Sequence, residues 1–154
     1  MSQQSQPTIL CYDGSESAKH AIGFAAKMLA HTRGIVLSVW REPVDALTDS
    51  FSDPRPGGQS LATLERSVLE RATEIADEGQ RFAAALGWDV ETRVEPSKDG
   101  DGETIVGLAR ALNAELVVLG THGRTAAQRD LLGSVSKAVL GACPRPVLVV
   151  PKDA

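Results

Sequence analysis

Five short apolar runs, each parted from the next by residues at helical spacing, constrain this chain more than any other feature. The runs are Thr8 to Tyr12, Ile35 to Trp40, Trp88 to Val94, Leu116 to Leu119 and Val147 to Val150. Between them, Ile22, Ala25, Ala26 and Leu29 make one helical stripe. Leu61, Leu64, Val68, Ala72, Ile75, Phe82 and Leu86 make a longer one that Gly87 closes. Ile105, Leu108, Ala109 and Leu112 make a third, and Val135, Ala138, Val139 and Leu140 a fourth. Strands alternating with helices predict βαβ units: a parallel sheet with right-handed crossovers and helices on both faces. Four of the runs are continuously apolar, as strands covered on both sides are. The third alternates, with Asp89, Glu91, Arg93 and Glu95 facing outward, the pattern that protects a free edge. It is expected at the margin of the sheet.

At 154 residues the chain is expected to be one domain, 1–154, with 1–7 and 151–154 as tails. A net charge of −4, with Lys and Arg never gathered beyond isolated pairs, argues against a nucleic-acid surface. The segment Met1 to Pro7 has neither the basic residue nor the apolar core of a signal peptide. The stretch Ala21 to Ala30 is broken by Lys27 and is too short to span a bilayer, so no membrane association is expected. Cys11 and Cys143 form no disulfide framework and no metal-ligand spacing, and the cytoplasm is the expected compartment.

Chemistry concentrates in residues 116–136. After the fourth apolar run come Gly120 and Gly123, then Gly133-Ser134 opening a helix, in the spacing G-x2-G-x9-G-S. Strand, glycine loop and helix start together make a phosphate cradle, because glycine lets backbone N–H groups approach an anion and a helix start offers unpaired donors. The spacing is neither a G-x4-G-K-[ST] phosphate loop nor a dinucleotide G-x-G-x-x-G. The alternative reading is a plain strand-to-helix connection with Ser134 as a cap.

This spacing, with Val135-Ser136 after it, the Tyr12-Asp13-Gly14-Ser15 turn and the Pro146 to Val150 ending, resembles the ATP-binding branch of the universal stress protein family. The resemblance covers nearly the whole chain. It implies a doubly wound, Rossmann-like α/β sheet of order 3-2-1-4-5, and a homodimer paired through strand 147–150. An apolar edge strand with no charged guard agrees with such pairing. In that order the crevice beyond the strand ends lies between Asp13 and Gly120, where ligands of open parallel sheets bind. The implied ligand is ATP, with Mg²⁺ held by its phosphates; AMP or cyclic AMP are the alternatives. Asp13 would accept from a ribose hydroxyl, or else serve only as a turn residue. Val39 matches the position whose backbone meets adenine, although from its own sequence it reads as a core residue. Gly120, Gly123, Gly133, Ser134 and Val135 would supply backbone donors, with the hydroxyls of Ser134 and Ser136 adding to them. Tyr12 and His122 match positions lining the same pocket, His122 reading equally well as an ordinary loop histidine.

Other signals fail. Gly100-x-Gly102 lacks its third glycine at the right distance, and Asp99-x-Asp101 has Arg110 where a calcium loop needs glutamate. His20 and His31 have no partner pattern, Trp40 and Trp88 read as packing, and Arg124 and Arg129 as solvated loop residues. The proline-rich segment 41–60 suggests a lid anchored by Phe51, or simply disorder. Function is expected to be regulatory: a nucleotide-dependent homodimeric switch of the stress response. No catalytic residue and no protein metal site is assigned. The acids and clamps of efficient phosphoryl transfer are missing, so slow ATP hydrolysis is the most an enzymatic alternative allows. An interaction module without nucleotide is the other alternative, against which the intact glycines argue.

Overall fold

The computed structural model describes residues 6–29, 33–43, 61–122 and 132–153. The expectations for Gly123, Arg124, Arg129, His31 and Phe51, and most of the segment 41–60, lie outside these residues.

The elements in chain order are β1 (Thr8–Cys11), α1 (Glu16–Met28), β2 (Arg33–Arg41), α2 (Leu61–Ala85), β3 (Asp89–Ser97), α3 (Asp101–Ala111), β4 (Leu116–Gly120), α4 (Ser134–Ala142) and β5 (Val147–Val150). Among the described residues the five strands form one sheet of order β3-β2-β1-β4-β5. Every pairing is parallel, with Leu10 opposite Val36 on one side and Val118 on the other. The strand order reverses at β1, so the crevice above β1 and β4 is the topological switch point.

Alternation along each strand divides the core in two. Leu10, Tyr12, Val36 and Val118 pack with Ala21, Ile22 and Ala25 of α1 and Ile75 and Ala83 of α2. Ile9, Leu37, Val117 and Leu119 face the other way, onto Ile105, Val106 and Ala109 of α3 and Val139 of α4. Fully burying a Val, Leu or Ile side chain is worth roughly 1.5–3 kcal/mol, so these alternating pairs fix the register of the central strands.

Two helices end in the Schellman arrangement. Gly87 at φ 95° follows α2, with Gly87 N–H on the Ala84 carbonyl and Trp88 N–H on the Ala83 carbonyl. Asn113 at φ 50° does the same after α3, its N–H reaching Arg110 and that of Ala114 reaching Ala109. Trp88 therefore belongs to the turn, and β3 begins one residue later than its apolar run. The strand also continues past Val94 through Pro96, which a strand at the sheet margin tolerates. The α2 stripe differs as well. Burial starts at Ala72, whereas Leu61 and Leu69 lie exposed, so its first turns extend past the core.

β3 forms one margin, its Asp89, Glu91 and Arg93 exposed as the alternation demands. β5 forms the other, with Val147, Leu148 and Val149 only half-buried. Among the described residues no helix is long and apolar enough to cross a membrane.

Candidate functional site

The crevice is entered from two strand-to-helix junctions. At the first, the Asp13 carboxylate accepts the N–H of Ser15 at 2.9 Å, an Asx turn that Gly14 completes at φ 83°. Ser15 then caps α1, its hydroxyl oxygen accepting the Ala18 N–H at 3.2 Å, and Glu16 adds an acid to the first turn. Asp13 thus performs the turn role, and it does so at the mouth of the crevice.

At the second junction β4 ends in Gly120. A Cβ built there would collide with the Ser17 side chain and stand 2.8 Å from the Ser17 carbonyl oxygen. Gly120 is therefore needed to seat α1 against β4. Beyond it, Thr121 is buried, and its carbonyl accepts the Gly133 N–H at 2.6 Å. Ser136, also buried, donates its hydroxyl to the Gly120 carbonyl at 2.9 Å, with the Thr121 carbonyl at 3.2 Å. Residues 121 and 133 are thereby pinned together.

Part of the expected donor set has partners within the chain. The Gly133 N–H and the Ser136 hydroxyl are committed within the chain rather than presented to a ligand. What the α4 start does present is backbone. Its first intrahelical bond runs from the Lys137 N–H to the Gly133 carbonyl at 3.0 Å, so the N–H groups of Ser134, Val135 and Ser136 precede the helical ladder. Gly133 makes no side-chain cap and no acid lies in the first turn. The Ser134 side chain is exposed beside these groups.

His122 follows, half-buried, its Nδ1 3.0 Å from the Thr121 hydroxyl. Val39, near the end of β2, is half-buried on the face that carries α3 and α4. Tyr12 differs. Its ring is buried on the opposite face, where Gly79 of α2 packs so closely that a Cβ would lie 2.5 Å from Cδ1. The Tyr12 hydroxyl donates to Glu78 at 2.6 Å, and Lys19 of α1 meets the same carboxylate at 3.2 Å. The ring thus lies across the sheet from α4. Alternation explains it, since residue 12 shares a face with Leu10.

Burial, the Tyr12 hydrogen bond and Lys19 have separable effects on protons. Burial first and the bond to Glu78 second raise the Tyr12 phenol. The same bond, then that from Lys19, lowers the Glu78 carboxyl. Burial first, with the charge of Asp13 next, pushes the Cys11 thiol up to about 12. Cys11 is therefore a neutral thiol at the end of β1, unsuited to nucleophilic work. Among the described residues no three His, Cys, Asp or Glu side chains gather as a metal site.

Sequence reasoning missed Thr121 and Ser17. A polar residue directly after a wholly apolar strand was the available signal for Thr121. Ser17 makes its contact with Gly120 across a hundred positions, which no local pattern reports. Two surface grooves also exist, one of about 520 Å³ along α1 and Phe82, one of about 330 Å³ beside Glu95 and Thr104. Neither includes the crevice residues.

A parallel five-stranded sheet of order 3-2-1-4-5 with helices on both faces defines a doubly wound, Rossmann-like α/β fold. The sequence model of the universal stress protein family matches residues 6–151. A universal stress protein of Methanocaldococcus jannaschii is 32% identical over 144 residues, covering 91% of this chain and 78% of the relative. The chain belongs to the universal stress protein family. Among solved structures, hypothetical protein MJ0577 superposes with a TM-score of 0.75 at 24% identity, covering 95% of each chain. A universal stress protein in complex with cyclic AMP gives 0.65 at 24% identity, covering 94% of this chain and 96% of that one. Two other structures of the family hold dAMP, in the Archaeoglobus fulgidus protein, and AMP, in the Arabidopsis thaliana protein.

Proposed function

We propose that this protein binds an adenine nucleotide in the crevice between Asp13 and the α4 start, and that the bound state is read out by partners as a regulatory signal. The observation that carries the reading is the α4 N-terminus: no side-chain cap, no acid, and three leading N–H groups at the switch point. Such a start favours an anion by roughly 0.3–1 kcal/mol from its dipole, before any hydrogen bond is counted. A phosphate at Ser134 to Ser136 places the ribose toward Asp13 and the base toward Val39. Relatives that hold cyclic AMP, dAMP and AMP support the adenine moiety. ATP, with Mg²⁺ on its phosphates, is the ligand that the resemblance to the ATP-binding branch of the family implies. In this reading the role is regulatory rather than catalytic.

The working unit is a homodimer through β5. Because the Pro146 carbonyl accepts the Val117 N–H, the backbone groups of residues 147 and 149 point away from β4, ready to pair with a second copy. Sedimentation should give a dimer, and Val149→Pro a monomer; a monomeric wild type at micromolar concentration would remove this part.

The test of function is direct. Natively purified protein is denatured in acid, the released small molecules are identified by mass spectrometry, and the protein is titrated with ATP, AMP and cyclic AMP. An adenine nucleotide in the extract and a saturating isotherm are expected. The absence of both would leave a dimeric interaction module instead.

A further inference from the structure

We infer that Thr121, a buried residue, is the positioning residue of the nucleotide site, acting through the ring of His122; the ligand part of this inference rests on the reading above. Thr121 is 6% exposed, so it works only through what it touches. Its carbonyl takes the Gly133 N–H at 2.6 Å and lies 3.2 Å from the Ser136 hydroxyl, which holds the α4 start against the end of β4. Its hydroxyl lies 3.0 Å from His122 Nδ1. One buried side chain and its own backbone therefore set two elements of the site at once: how the α4 start is held, and how the imidazole is held at Nδ1.

The proximity of those elements is independent of any ligand. A Cβ at Gly133 would meet the Thr121 carbonyl oxygen at 3.0 Å and His122 Cα at 3.6 Å, so His122 leaves the strand against the helix start. A hydroxyl suits this post because it both donates and accepts. It donates to a bare Nδ1, leaving the ring proton on Nε2, or accepts from Nδ1–H, and in either case it holds the ring in place. The second partner of a histidine nitrogen commonly decides what the first nitrogen does, as it does in metal and catalytic sites. Valine in place of Thr121 keeps the shape and both backbone hydrogen bonds and removes only this control.

The test uses the full chain, with AMP as the probe. Thr121→Val should retain the far-ultraviolet circular dichroism of the wild type and bind AMP about tenfold more weakly, the loss that one hydrogen bond of ordinary strength carries. Thr121→Ser should restore affinity. The ¹⁵N chemical shift of His122 Nδ1 should move in Thr121→Val, which removes its partner, and return in Thr121→Ser. In a His122→Ala background, Thr121→Val should cost nothing further, because the group it positions is gone. Equal losses in both backgrounds would assign Thr121 a general structural role and overturn the inference. So would ring shifts that Thr121→Val leaves unchanged. If the wild type binds no nucleotide, the function proposed above falls, and the ring shifts alone then decide whether Thr121 orients His122.

Discussion

Between β1 and α1 the chain takes four residues to turn; between β4 and α4 it takes thirteen. The short junction is closed by its own side chains. Asp13 holds Ser15, Ser15 caps α1, and Glu16 meets the positive end of the helix. The long junction is closed by backbone and by a side chain from further along, with Gly133 on Thr121 and Ser136 reaching back to Gly120. The difference has a chemical consequence. α1 begins with its dipole and one donor already answered from within, in acidic surroundings that repel phosphate. α4 begins with a glycine cap and no acid. A crevice bounded by one sealed and one open helix start is polarised, and a ligand with hydroxyls at one end and phosphate at the other fits it in a single direction.

The largest effect should come where the two junctions touch. In Gly120→Val the new side chain enters the space of Ser17, whose carbonyl carbon and oxygen cannot move without shifting the first turn of α1. A loss of about 3 kcal/mol is expected from overpacking against backbone, visible as a lower urea midpoint with no nucleotide present. Wild-type stability in this variant would return Gly120 to a role in ligand binding alone.

Gly133→Asp tests the asymmetry itself, since it gives α4 the kind of cap α1 already has. Residue 133 sits at φ −72° and ψ 170°, a cap conformation that aspartate adopts without strain. The gain from capping is offset by the tight approach of the new Cβ to the Thr121 carbonyl, so stability should change by less than about 1 kcal/mol. AMP affinity should fall about a hundredfold, because a carboxylate then occupies the anion's place. Calorimetric titration checks both numbers in one sample. Retained affinity would show that phosphate does not lie at α4. The mirror experiment, Ser15→Ala, unseals α1 and should cost about 1 kcal/mol of stability. Its effect on AMP binding should be small, since Asp13 and Glu16 still guard that end.

Much of this contrast was legible in the sequence, and the part that was not has a common cause. Apolar runs and helical stripes gave the elements, and the charges of Asp89, Glu91 and Arg93 marked β3 as marginal. Gly87 announced the end of α2. These are local signals, read within a few residues. Gly120 looked like a phosphate glycine because its neighbours in sequence are a strand and a loop, whereas its constraint comes from Ser17 across the fold. Ser136 looked like a ligand donor until the carbonyls of Gly120 and Thr121 came within its reach. Tyr12 shares a face with Leu10, and that much was readable; which face carries α4 was not. The α2 stripe through Leu61, Leu64 and Val68 is a helix as expected, yet its first turns stand clear of the core, because periodicity gives the orientation of a helix and says nothing of where its neighbours stop.

The smallest effect tests how the sealed junction is braced from behind. Tyr12 stands next to Asp13, and its hydroxyl is tied to Glu78 of α2, which Lys19 of α1 also meets. The Glu78 carboxyl is lowered by these partners, the Tyr12 bond first. A lowered folded-state value means that the carboxylate stabilises the fold above its unfolded value, near pH 4.3, and that this contribution is lost as pH falls through the folded value. The Glu78 side chain is 45% exposed and that of Lys19 30%, so water screens the pair and the whole contribution is modest. Glu78→Gln keeps an acceptor for the Tyr12 hydroxyl while removing the charge. Thermal midpoints of variant and wild type should therefore differ slightly at pH 7 and converge as pH falls below the unfolded value and through the lowered folded one. A difference that stays constant across that range would mean that Glu78 braces the junction by packing and hydrogen bonding alone, with its charge making no contribution to the seal.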